Sequence, residues 1–373
     1  MQLFWVVLLN IIANTGIGVL LPIMPVLLQE YGFSISGLSI PFLAIVFGRI
    51  VSKFFCDKIL FLQYKFILAI SFLVYSLTFL CYFFFHVKFV FIGLRFLEGI
   101  VEGLLVVMLT DVAIHLSEKH NRGFYMGIFG FSFGFGMIIG PLYGGILYSR
   151  YGVGAVFVAN FILGLLGVLS SFFLNKYDVK KEKKLKLSIG VLKLMTYYSP
   201  AILRRVYLFS FAIFLPIYVV RNLGLTIQDV AKLFTAIALA LTIFGPFSGR
   251  LVDKISARLV ITVGTMLMSI CCFAIFIGWN FSLFFYIMLF CFGLVLPAGM
   301  KFFADLVKDC KNRTQILGIA GTTTEFSTLF VAGTMPFIAE TNINYAWLFL
   351  AIISILVILP FCKRKVNLDF STL

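Results

Sequence analysis

A chain of 373 residues that is 62% hydrophobic and 12% charged carries too few charges to cover a soluble domain of that length, which takes roughly a quarter. Its apolar residues run unbroken for roughly twenty at a time, enough to cross about 30 Å of hydrocarbon. Backbone inside lipid must satisfy its own polar groups, so these runs are read as helices of a membrane protein and not as parts of a soluble enzyme.

Spans are predicted at 3–29, 36–56, 66–86, 88–116, 124–147, 152–174, 204–223, 228–250, 258–278, 281–300, 314–338 and 343–362. The first shows no basic leader ahead of it and is read as a span, not a cleaved signal. With these boundaries about 24 of the 30 Lys and Arg fall on one side, from Lys53 and Lys58 to the tail Lys363-Arg364-Lys365. The other side shows Lys88, Arg150 and Arg221. By the positive-inside rule both termini are expected in the cytoplasm, in a multi-pass protein of the cell inner (plasma) membrane. The net charge of +15 is thereby an orientation signal, and no nucleic-acid partner is expected. The lipid bilayer is.

Taken along the chain, polar groups at membrane depth are few enough to name. Asn10 and Asn14 stand one turn apart in span one; they either line a cavity or hydrogen-bond a neighbouring helix. Asp57-Lys58 follows span two. In span four, Arg95, Glu98 and Glu102 are spaced three and four apart and form one stripe on a helix. A charge at that depth costs at least about 2.5–3.5 kcal/mol and is rarely kept without a function. Two readings stay open: coupling of a proton or substrate through at least one glutamate, or a structural Arg95–Glu98 pair with Glu102 facing an aqueous vestibule. Asp111 closes span four, and span eleven carries Glu325 as a further acid candidate.

The lysine-rich stretch Asn175–Arg205 divides the spans six and six, giving expected domains 1–174 and 204–373 around a basic cytoplasmic linker, 175–203. It reads as a tether touching anionic headgroups, and Leu185, Leu187, Ile189, Leu192 and Met195 in it suit a short interfacial helix. The halves repeat. Leu21-Pro22-Ile23 recurs as Leu215-Pro216-Ile217, Gly99 as Gly293, Asp57-Lys58 as Asp253-Lys254 and Pro141 as Pro336, all at offsets of about 194–196. At that offset Glu98 and Glu102 correspond to Phe292 and Leu296, so the acids are not needed merely to build the repeat.

Gly136-Met137-Ile138-Ile139-Gly140-Pro141-Leu142-Tyr143-Gly144-Gly145 in span five resembles the G-x-x-x-G-P-x-x-G-G element of the major facilitator superfamily's drug:proton antiporter branches. Gly249-Arg250-Leu251-Val252-Asp253-Lys254-Ile255-Ser256-Ala257-Arg258 is similar to the family's loop after span eight, with Ser256 replacing a glycine. The first-half copy is degraded, with Lys53 in the glycine position. Arg95 to Gly103 resembles the family's R-x-x-Q-G-x-x-x-G element, with Glu98 where an uncharged polar residue is common. The resemblance implies two pseudo-symmetric six-helix bundles, and a cytoplasmic latch formed from Asp57, Lys58, Asp111, Gly249, Asp253, Lys254 and Arg258.

The resulting expectation is an all-α membrane protein of twelve transmembrane helices. It would move a small organic molecule by alternating access, most simply as proton-coupled export, with uptake by proton symport and a non-transporting sensor or assembly relative as the alternatives. No cofactor is expected, since no Walker A, dinucleotide or zinc pattern appears; the energy source is a proton gradient. Seven scattered cysteines suggest neither a disulfide framework nor a metal site. Gly130-Phe131-Ser132-Phe133-Gly134 fits a nucleophile elbow in letters only, since it lies within an apolar span. A monomer suffices for this fold.

Overall fold

In a computed structural model of the chain, residues 2–59, 63–85, 87–116, 122–175, 197–307 and 313–362 are described. Among them are twelve α-helices and no strand: α1 Gln2–Leu20, α2 Met24–Glu30, α3 Ser39–Ile59, α4 Tyr64–Phe84, α5 Lys88–Leu116, α6 Arg122–Ser171, α7 Ser199–Ile217, α8 Ile227–Lys254, α9 Ala257–Phe276, α10 Phe281–Val307, α11 Arg313–Thr341 and α12 Tyr345–Cys362. The linker 176–196, with its proposed interfacial helix, lies outside the described residues.

Three predicted spans take a different form. The first breaks at Leu21–Ile23, where Pro22 has no N–H to continue the ladder and the chain turns through Leu21 N to Gly18 O and Ile23 N to Leu20 O. Spans five and six run together as α6, interrupted at Gly152 with φ 78° and ψ −179°, backbone that a side chain would strain. α1 with α2 thus makes one span and α6 makes two, which keeps the total at twelve. The repeat is visible in backbone detail. Pro216, the counterpart of Pro22, is followed by a π turn at Tyr218–Asn222. Gly32 and Gly224, both at positive φ, stand 192 apart (224 − 32).

Six helical segments among the described residues are each long and apolar enough to cross a membrane, with mean hydropathy between 1.6 and 2.4. Their outward faces are apolar. On α4, Phe66, Ile70, Leu73 and Leu77 form an exposed stripe, and on α9 Leu259, Val263, Met266, Ile270 and Phe273 form another. Such continuous apolar exposure would aggregate a soluble protein and is what lipid solvates. The inward face of α4 carries Leu68, Phe72, Tyr75, Phe79 and Tyr82 at complementary spacing, all buried.

The chain divides into two compact units, Met1–Lys181 with Leu215–Ala238, and Glu182–Phe214 with Leu239–Leu373. In the first, α1 and α4 pack on α6, and α3 packs on α5. In the second, α9 packs on both α10 and α12. There Trp347 is sealed among Phe211, Phe214, Phe281 and Phe285. Tyr207 Oη meets Ser354 Oγ at 2.7 Å and Cys272 Sγ at 3.3 Å.

Candidate functional site

Glycines let α3 and α5 touch backbone to backbone. A Cβ at Gly99 would strike the backbone of Ile45, one at Gly48 would strike Phe96 and Ile100, and one at Gly103 would meet Ser52 and the Arg49 carbonyl. Small residues at such crossings are how helices approach closely in lipid. The consequence is positional: the crossing sets Arg49 of α3 against Glu102 of α5, with Nε 3.1 Å from Oε2.

The predicted stripe on α5 is buried: Arg95 is 6%, Glu98 1% and Glu102 4% exposed. Arg95 Nη1 donates to Glu98 Oε2 at 2.8 Å, and Tyr82 of α4 donates to the same oxygen at 2.9 Å. Phe42 of α3 lies under the Arg95 guanidinium, 5.8 Å from ring centre to Cζ. The hydroxyl of Tyr75, one turn of α4 from Phe79, is buried without a hydrogen-bond partner among the described residues and fills the space left by Gly16 of α1. Two carboxylates and two guanidiniums therefore gather along one stretch of α5 and the facing part of α3. The Arg95–Glu98 pair is present. Glu102 is not open to a vestibule but enclosed beside Arg49.

Asn10 and Asn14 are joined elsewhere. Asn10 Nδ2 donates to Ser132 Oγ at 2.7 Å and to the Phe129 carbonyl at 3.1 Å, and Asn14 Nδ2 donates to Asn10 O and Oδ1 at 2.7 and 2.9 Å. The Asn10 bonds join α1 to α6, the Asn14 bonds stay within α1, and none among the described residues links the two asparagines to Glu98 or Glu102. Ser132, at the middle of the elbow-like pentapeptide, sits inside helix α6.

The span-five motif forms the other wall of α1. Gly136, Gly140 and Gly144 abut the backbone at Ile11 to Val19, and Pro141 Cδ lies 3.0 Å from where a Cβ on Gly18 would stand. Gly145 turns to Ala231 of α8, where Thr235 Oγ1 also reaches the Ile138 carbonyl at 3.4 Å.

In the second unit, Glu325 is 2% exposed on α11 and faces Arg205 Nη2 of α7 at 3.5 Å. Of the predicted latch, Asp111 accepts a short hydrogen bond from Tyr64 and Arg258 lies over the Phe302 ring at 5.8 Å. The side chains of Asp57, Lys58, Asp253 and Lys254, together with Gly249, lie outside the described residues. No three His, Cys, Asp or Glu side chains converge as a metal site among those described.

Sequence reasoning missed Arg49, Tyr82 and Tyr75. Arg49 had a signal, being a charge inside predicted span two. The tyrosines had none, because aromatic residues crowd every span.

The Major Facilitator Superfamily profile matches residues 6–208 and 201–367. The chain belongs to this superfamily. Members are transporters, so this major facilitator chain is a multi-pass membrane transporter and not an enzyme. It is 25% identical over 269 residues to an uncharacterized MFS-type transporter of Methanocaldococcus jannaschii, covering 68% of this chain and 69% of that one. It is 43% identical over 68 residues to the quinolone resistance protein NorA of Staphylococcus aureus, a match spanning 18% of this chain and 17% of that protein. A crystal structure of a D-xylose-proton symporter aligns over the whole of both chains with TM-score 0.75 at 14% identity, which establishes the major facilitator fold.

Proposed function

We propose that this transporter is a proton-coupled exporter of a small organic molecule, with Glu102 as the group that exchanges the proton and Glu98 as the anchor of Arg95. The observation that carries this reading is the different company of the two acids. Glu98 accepts from both Arg95 and Tyr82 on a single oxygen, so a proton on Glu98 would remove the negative charge that pairs the buried Arg95 guanidinium. Glu102 is held across a helix crossing by Arg49, so a proton on Glu102 weakens the charged link between α5 and α3 while their glycine contact stays. A proton couples to transport when the two access states bind it unequally, because a ligand that binds both equally shifts nothing.

Export is supported by the fully present span-five motif and by the stretch shared with a protein named for quinolone resistance. The proposed frame is the one expected from sequence: six-helix domains 1–174 and 204–373, linker 175–203, both termini cytoplasmic in the cell inner membrane, functioning as a monomer. Asn10, Asn14 and Glu325 are proposed as polar groups of the transport path, and residues 57–58, 111 and 249–258 as the cytoplasmic latch.

Sealed inverted vesicles test the reading. With purified protein and a panel of amphipathic cations and organic acids, export by antiport releases protons when one compound is added. Uptake by symport would move protons the other way, and a non-transporting relative would stay silent. Glu102→Gln should abolish gradient-driven movement while substrate exchange without a gradient persists. Unchanged proton movement in that variant rejects the assignment.

A further inference from the structure

We infer that Arg204, at the foot of α7 in the second unit, holds the phosphate-bearing headgroup of one anionic phospholipid. Arg204 and Arg205 are neighbours five and six residues into α7, about 7.5 Å along the helix from its start at Ser199, and they differ in what they face. Arg205 turns to Glu325. Among the described residues, Arg204 Nε is sealed from solvent with no acceptor, and Arg204 makes no hydrogen bond or ion pair. The ionisable groups acting on it are Arg205 and Tyr198, neither of which is an anion at neutral pH.

A half-buried guanidinium with no counter-charge among the described residues is a costly arrangement in a folded protein, and one that an anion relieves. Ser199 Oγ, at the same end of the helix, is likewise sealed and has no partner among the described residues. The surroundings are those of a membrane edge. Tyr198 packs on Phe303 with ring centres 4.7 Å apart, and Tyr197 on Phe302 at 6.1 Å. Tyrosines with an apolar body and a polar tip collect at headgroup depth. Immediately before them the sequence carries Lys176, Lys180, Lys181, Lys183, Lys184, Lys186 and Lys193, a density of charge that concentrates anionic lipid at a membrane surface. The planar fork of arginine matches the oxygens of a phosphate, and the aromatic wall fits a lipid backbone better than a free, fully hydrated phosphate ion.

Native mass spectrometry of the full chain in neutral detergent tests the proposal, with phosphatidylglycerol, phosphatidylcholine or inorganic phosphate titrated in. The wild type should retain one phosphatidylglycerol per chain in preference to phosphatidylcholine. Arg204→Gln should weaken that retention about ten-fold, the loss of a charge-assisted hydrogen bond, while Arg150→Gln, an exposed site in the other unit, should leave it unchanged. Equal retention by Arg204→Gln and wild type overturns the inference. So does displacement of the lipid by equimolar inorganic phosphate, which would mark a site for the free ion. Should Arg204→Gln fail to fold, equal retention of the two lipids by the wild type overturns it alone.

Discussion

Glu98 and Glu102 differ in what their removal leaves behind. Glu98→Gln strands Arg95, 6% exposed, without a counter-charge, and breaking a fully buried pair costs about 3–5 kcal/mol. Glu102→Gln leaves Arg49, whose side chain is 16% exposed and less enclosed than Arg95, at a cost nearer the ~1.5–3 kcal/mol of one charged hydrogen bond. Thermal unfolding in one detergent should therefore show Glu98→Gln melting well below Glu102→Gln. The opposite order would mean that Glu102 is the anchor. Tyr82→Phe should cost about as much as the single bond it removes and leave the Arg95 pair in place. The stripe itself was readable from the three-and-four spacing of Arg95, Glu98 and Glu102, but its partners were not. Tyr82 and Arg49 reach the acids from α4 and α3, and no local spacing announces a contact between helices.

At the scale of the helix, glycines on α5 divide by what surrounds them. Gly99 faces the Ile45 backbone, whereas nothing lies within 4 Å of a Cβ built on Gly93. Gly99→Ala should destabilise by about 1–3 kcal/mol or more, as overpacking does. Gly93→Ala should be neutral or stabilising by up to about 1 kcal/mol, the ordinary helix preference. Equal melting temperatures for the two variants would remove the close crossing that places Arg49. Helix positions followed from hydropathy, since lipid enforces runs of fixed length. The departures came from backbone chemistry that hydropathy ignores: the turn at Pro22, the positive φ of Gly152 and the π turn after Pro216. The span-five motif was readable as a small-residue helix face, and its partner helix, α1, was not. For Asn10 and Asn14 the sequence left two roles open; Asn10 bonds Ser132 and Phe129 of α6, while Asn14 bonds back to Asn10 within α1.

For the whole molecule, the repeat explains why function should gather in the first half. Where that half sets Glu98, the second sets Phe292, buried and stacked on Tyr207 with ring centres 5.5 Å apart. One half holds charge at this level and the other holds an aromatic core. The second unit's acid, Glu325, sits on a different helix, beside Arg205. Charge placement underlies the proposed orientation. Reporter fusions at the C-terminus and after Arg150 should report cytoplasmic and external locations respectively, and a reversed result would overturn the reading of the lysine-rich face.

The most direct test of proton coupling through α5 is internal pH in sealed inverted vesicles, recorded for wild type and Glu102→Gln as candidate substrates are added. The account requires proton release from energised vesicles with one compound in the wild type, and none in Glu102→Gln although that variant still exchanges the same compound without a gradient. Proton release of equal size in both proteins would contradict it and place the coupling group elsewhere in the chain.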